Sequence, residues 1–181
     1  MANPIVERIP LLAAHEGIWE GHYVHVAPDR TLQEETLFRI LVEIPAEGEV
    51  HYRQTSHYWW ADGRTQQLQY GGRYRDGRVV FDDGRIQGAC WAVDDRTLYL
   101  RFGFAADPAG YVCEMIQLSP DGQHRARTWH WFRDHALWRI TLVREHRVSR
   151  DVTRFGGLAG SVPELPWCGE RPSACLAVPA G

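Results

Sequence analysis

The residues best able to do chemistry crowd into one run, His124-Arg125-Ala126-Arg127-Thr128-Trp129-His130-Trp131-Phe132. It reads as a β-strand, whose side chains point alternately to opposite faces. One parity carries Arg125, Arg127, Trp129 and Trp131; the other carries His124, Ala126, Thr128, His130 and Phe132. Whichever face turns inward takes guanidiniums or imidazoles out of water, at a cost of several kcal/mol if they lack partners. Such a strand implies an interior that meets a polar or aromatic guest. Glu114 stands on the same parity as Val112, Ile116 and Leu118 in the preceding strand-like segment. Burial among aliphatics would raise its pKa unless an arginine meets it. Across the Asp121-Gly122 turn it lies near Arg127 or Arg125. Two outcomes stay open: an acid/base or carboxylate-binding pair of Glu114 with Arg127, or a buried ion pair that fixes register. His130 is the third catalytic candidate, as a general acid or base near neutral pH, against a purely structural hydrogen-bonding role. Arg127 and His130 have opposite parity, so a regular strand admits only one of them, and a bulge is needed for both. The arginine face is favoured, because it gives Glu114 a partner.

Other strands supply a candidate lining. If Trp19 points inward, Gly21, Tyr23 and His25 follow it. In the third strand Tyr52, Gln54, Ser56, Tyr58 and Trp60 share a face of aromatic bodies with polar tips. The opposite face, His51, Arg53, Thr55, His57 and Trp59, reads as solvated. The expected ligand contacts are therefore Tyr23, His25, Tyr52, Gln54, Tyr58, Arg125 and Trp129. Strand propensity alone also favours such aromatics. No histidines show the i, i+2 spacing of a one-strand metal site, and no phosphate loop, dinucleotide fingerprint or nucleophile elbow occurs. Neither metal nor cofactor is expected.

Composition sets the bounds. The chain has 181 residues, 44% hydrophobic and 24% charged, with a formal net charge of -3. These values suit one globular domain and give no electrostatic reason to invoke nucleic acid or an anionic membrane. No apolar run approaches a membrane span. Met1-Ala2-Asn3-Pro4 lacks the charged and apolar start of a signal peptide, so cytoplasm is the expected compartment. Every basic residue is arginine, which removes Schiff-base lysine chemistry. Cys90 and Cys113 read as small buried hydrophobes, and Cys168 and Cys175 as free thiols in the tail.

Turn signals place the elements that must position these residues. Asp62-Gly63, Asp76-Gly77, Asp83-Gly84 and Asp121-Gly122 are hairpin signals, because a type I′ turn needs positive φ at both central residues. Between the turns about ten strands are expected: 17–26, 35–44, 49–60, 66–74, 78–82, 85–93, 97–105, 110–118, 123–132 and 136–148. In the second, Phe38, Ile40, Val42 and Ile44 form the apolar face, with Glu35, Arg39 and Glu43 in water. Residues 5–15 suggest a short helix broken by Pro10. A single β-barrel domain is expected over 1–150 and an irregular tail over 151–181. Hairpin order without crossover helices leaves a sandwich or an up-and-down barrel, and meander order favours the barrel.

Gly17-Ile18-Trp19, followed by Gly21 after a short helix, resembles the opening of the lipocalins and the wider calycin superfamily. There the Trp closes the barrel floor beneath an Arg from a late strand; Arg139, Arg144 and Arg147 all qualify. The runs 15–21, 54–63 and 128–131 are similar to a bacterial and cyanobacterial group of lipocalin-like proteins. The resemblance implies an all-β, lipocalin-like (calycin) antiparallel barrel of about ten strands with a short N-terminal helix, and binding of a small hydrophobic or aromatic molecule inside it. The Tyr, His, Arg and Glu content of the strands extends this to cofactor-free acid/base turnover of isomerase, cyclase or lyase type. The alternatives are a non-catalytic carrier or chromophore-binding protein, and a nitrobindin-like haem barrel with His146 as the proximal ligand. No nucleic-acid or membrane partner is expected; a homodimer is left open.

Overall fold

The computed structural model describes residues 2–158 and 160–165. Two short helices lead in: α1 (Pro4–Arg8) and α2 (Pro10–Ala13). Each starts on proline, whose fixed φ and missing N–H suit the first helical turn. Asn3 caps α1 by accepting from the Ile5 N–H at 2.9 Å. Its amide also donates to the carbonyls of Pro45 and His51, both at 2.7 Å, which ties α1 to the barrel rim.

The strands follow in order: β1 (Gly17–Val26), β2 (Leu32–Glu43), β3 (Tyr52–Trp59), β4 (Thr65–Arg75), β5 (Arg78–Asp82), β6 (Ile86–Ala92), β7 (Thr97–Phe104), β8 (Asp107–Leu118), β9 (His124–Arg133) and β10 (Ala136–Ser149). Each pairs antiparallel with its sequence neighbour, and β1 pairs with β10, so the sheet closes into a barrel. This is the lipocalin-like architecture that the Gly-x-Trp opening implies. The core fills it from the helix end: Ile5, Ile9 and Leu12 pack with Trp19, Phe38, Ile40 and Val42. Gly21 is needed here, since a Cβ would lie 2.1 Å from the Arg144 carbonyl and 2.8 Å from the Phe38 ring. No helix among the described residues is long and apolar enough to cross a membrane.

The turns depart from expectation. Only Asp76-Gly77 has positive φ at both residues, 47° and 78°. At the other three Asp-Gly sites only the glycine is left-handed, and the aspartate instead accepts backbone N–H bonds two residues on. The second doubly left-handed turn is Asp134-His135, with φ of 49° and 63° and no glycine.

The outer face is also drier than its sequence suggests. Arg39 and Trp59, expected in water, are both buried. After β10 a 3-10 turn (Val152–Arg154) runs into α3 (Phe155–Leu158), and this segment packs across β2 and β3. Arg39 donates to the carbonyls of Leu158 and Ser161 and pairs with Glu20 at 2.5 Å. The Phe155 ring lies 5.1 Å from His57. Cys168 and Cys175 lie outside the described residues.

Candidate functional site

β9 turns its arginine parity inward. Arg125 and Arg127 are buried, whereas His124 and His130 are exposed on the outer wall. His130 therefore does not line the cavity. The strand keeps regular register with β8 along this stretch, so no bulge reverses its parity. The cavity holds about 280 Å³. All the expected ligand contacts line it: Tyr23, His25, Tyr52, Gln54, Tyr58, Arg125 and Trp129, together with Glu114 and Arg127.

The site is layered. At the floor, the guanidinium carbons of Arg125 and Arg147 lie 4.0 and 4.1 Å from the Trp19 ring centre. Arg147 is thus the late-strand arginine of the resemblance, and register places it directly opposite Trp19. It is held there by donating to the carbonyls of Gly122, Glu16 and Ala14. The Trp19 indole donates to the His15 carbonyl at 2.9 Å. Burial first, and then the charges of Arg125 and Arg147, hold His15 well below the usual imidazole range, so its ring is neutral.

One layer up lies a ring of two arginines and two glutamates. Arg125 donates to Glu145 at 2.5 Å, Arg127 Nε to Glu114 at 2.5 Å, and Arg127 Nη1 to Glu145 at 3.4 Å. Burial pushes Glu114 upward, against the opposing pull of Arg127. Burial also opposes the charge on Arg127, but Glu114 more than restores it. Guanidinium stays protonated in either case, and 2.5 Å is a charge-assisted contact. The Glu114 carboxyl is therefore easier to protonate than a free one, while Arg127 holds its charge. β3 adds a relay along one face, Tyr52 hydroxyl to Gln54 at 2.7 Å and Gln54 amide to Ser56 at 2.9 Å.

Above the ring is an aromatic cage. Tyr23 lies 4.4 Å from Phe38 and 5.3 Å from Trp129, and Trp129 lies 5.5 Å from Trp131. Phe104 stacks on Trp131 at 5.8 Å, nearly parallel at 8°. The exposed lining residue Gln66 marks the open end. Near it Thr141 Oγ1 accepts from the Trp131 indole and sits 2.7 Å from His25 Nδ1. Donation of the threonine proton to Nδ1 would satisfy the hydroxyl and leave Nε2–H as the imidazole donor. Burial, aided by Arg139, lowers the His25 pKa to about 4, so this histidine is a neutral donor in the physiological range.

The haem alternative does not fit. β10 sends Thr141, Val143, Glu145 and Arg147 inward, so His146 belongs to the outer parity, opposite Glu20 and His124. Sequence reasoning missed Glu145 and His15. The alternation of Val143, Glu145 and Arg147 was a usable sign for Glu145, but only register shows that it faces Arg125. His15 precedes β1, where no period assigns a direction.

The barrel is similar to several solved structures. A DUF3598-family protein of unknown function from Nostoc punctiforme matches with a TM-score of 0.58 at 17% identity, over 76% of this chain and 49% of that one. The chain thus spans about half of that protein. The S-type phycobiliprotein lyase CPES from Guillardia theta matches with a TM-score of 0.63 at 16% identity, covering 82% and 94% of the two chains. Rv2717c from M. tuberculosis matches at 0.55 and 15%, covering 78% and 98%. At these identities the likeness is one of fold. No curated protein matches the sequence. The family described as "Domain of unknown function (DUF3598), N-terminal" matches residues 8–150, most of the length, and the protein belongs to that family.

Proposed function

We propose that the barrel binds one small planar aromatic or conjugated molecule. The observation that carries this is the cage of Tyr23, Phe102, Phe104, Trp129 and Trp131 around a cavity of about 280 Å³. That volume sits at the small end of ligand pockets. Flat rings suit flat walls, since offset and edge-to-face contacts between aromatics are each worth about 0.5–1.5 kcal/mol beyond area burial. The fold shared with a protein named a phycobiliprotein lyase is compatible with such a guest. Titration with planar fluorescent probes tests the reading: binding should quench tryptophan emission with a dissociation constant on the order of micromolar, and Trp129→Leu should weaken it. Absence of quenching by any planar probe would refute it.

A second reading is turnover in the same cavity, by cofactor-free proton transfer of isomerase, cyclase or lyase type. It is favoured by Glu114, which burial makes a readier proton carrier and which borders the cavity beside Arg127. Glu114→Gln should then abolish turnover while binding survives. Release of every bound ligand unchanged, shown by native mass spectrometry after incubation, would leave a carrier.

A further inference from the structure

Most polar side chains in the cavity are paired, and the exceptions cluster. Tyr23 Oη, Glu114 Oε2 and Trp129 Nε1 are inaccessible to solvent and have no hydrogen-bond partner. Tyr23 is 3% exposed and Glu114 1% exposed. Buried polar groups are normally satisfied, and an orphan is costly. Three of them where the ion-pair layer meets the aromatic cage call for a common explanation. They lie together: Trp129 is the cross-strand partner of Glu114, and the Tyr23 and Trp129 rings are 5.3 Å apart. The Trp129 indole leans toward the Glu114 carboxylate, and Tyr58 approaches Tyr23 with ring centres 5.9 Å apart, yet neither closes a hydrogen bond of accepted geometry. Arg125 Nε and His15 Nε2 also lack partners, but both belong to the Trp19 floor below.

We infer that this level of the cavity is built to take a neutral polar edge that both donates and accepts hydrogen bonds, as the edge of a planar lactam or other cyclic amide does. The inference rests on the proposed binding of a planar guest. A ligand N–H meets Glu114 Oε2, which as a carboxylate oxygen only accepts; a ligand carbonyl meets the Tyr23 hydroxyl, in its donor role, and the Trp129 N–H. Charge selects a neutral guest. The two guanidiniums below are already matched by two carboxylates at 2.5 Å, so an anion would gain no net charge and would face the free oxygen of Glu114. A ring that can only accept, or only stack, leaves Glu114 Oε2 unmet.

The test compares four flat bicyclic probes by tryptophan quenching: carbostyril (a lactam), N-methylcarbostyril, naphthalene and naphthoate. Carbostyril should bind about tenfold tighter than N-methylcarbostyril or naphthalene, and naphthoate should bind weakest. Tyr23→Phe removes a hydroxyl that has no protein partner. It should leave the melting temperature unchanged or raised, and weaken carbostyril about five- to tenfold more than it weakens naphthalene. Trp129→Phe is the second variant: it trims the cage wall and so weakens both probes, but carbostyril by a further several-fold. Naphthalene binding as tightly as carbostyril, or Tyr23→Phe and Trp129→Phe weakening carbostyril no more than naphthalene, would overturn the polar-edge inference while the planar-guest reading stood. Tightest binding by naphthoate would overturn neutrality. Failure of all four probes would remove the planar-guest reading itself.

Discussion

Replacing Arg127 with Met strips Glu114 of its counter-ion and Glu145 of one of two. The carboxylate of Glu114 is 1% exposed and its contact to Arg127 is 2.5 Å, so the pair is largely desolvated. Breaking a buried pair from one side costs about 3–5 kcal/mol. For a domain of this size that corresponds to a fall in melting temperature of about 6–20 °C. Removing both charges is different. In Glu114→Gln/Arg127→Met no unpaired charge remains at this contact, and about 2 kcal/mol should return relative to the sum of the singles. Urea unfolding at neutral pH, followed by far-ultraviolet circular dichroism, measures all four corners of the cycle. The Arg127→Met defect should also shrink on acidification, because an unpartnered Glu114 escapes its cost by protonating. Additive singles, or an Arg127→Met cost below about 1 kcal/mol, would show that the ring is not the coupled, desolvated network its distances describe.

The His25 pKa falls from 6.5 to about 4 on folding. A depressed pKa supplies stability that is present above the unfolded value and lost as pH falls, so up to about 3 kcal/mol should disappear between those two pH values. His25→Gln should flatten that part of the stability curve, and an unchanged slope would count against the buried neutral ring. His130→Ala, on the exposed wall, should alter stability by no more than about 0.5 kcal/mol and leave probe binding untouched; a loss of binding would place His130 in the site after all. Arg39→Ala removes the donor that holds Leu158 and Ser161. Trypsin should then cut after Arg150 or Arg154 faster while the barrel's circular dichroism is kept, and an unchanged cleavage rate would show that other contacts hold the segment.

The strands were legible because each carries its own period. Phe38, Ile40 and Val42 declare the inward face of β2, and Trp19 carries Tyr23 and His25 inward with it on β1. Parity alone could not choose the inner face of β9, since both faces mix polar and aromatic groups. Chemistry across the hairpin did, through Glu114. What stayed hidden depends on contacts remote in sequence. Arg39 looked solvated because the segment that covers it begins more than a hundred residues later. Glu145 needed the β9–β10 register, which slips between Leu137 and Arg139 and so cannot be counted from the turn. All four Asp-Gly dipeptides do join consecutive antiparallel strands; only the turn type differs at three of them, because an aspartate side chain that accepts backbone N–H bonds offers the chain a longer loop in place of the tight one.

Closure by β1 and β10 bears on when this protein can fold. β1 is made first, but its second edge is covered only once β10 is available, so the barrel cannot seal until residues near 149 have been synthesised. Through that interval β1 presents an open edge of the kind that invites pairing with other chains. Its pairing with β10 must also bridge a long separation, which slows the search. The Trp19 indole, from the first strand, meets guanidiniums from the ninth and tenth. Its stacking on both arginines exists only when the two ends of the sheet have met.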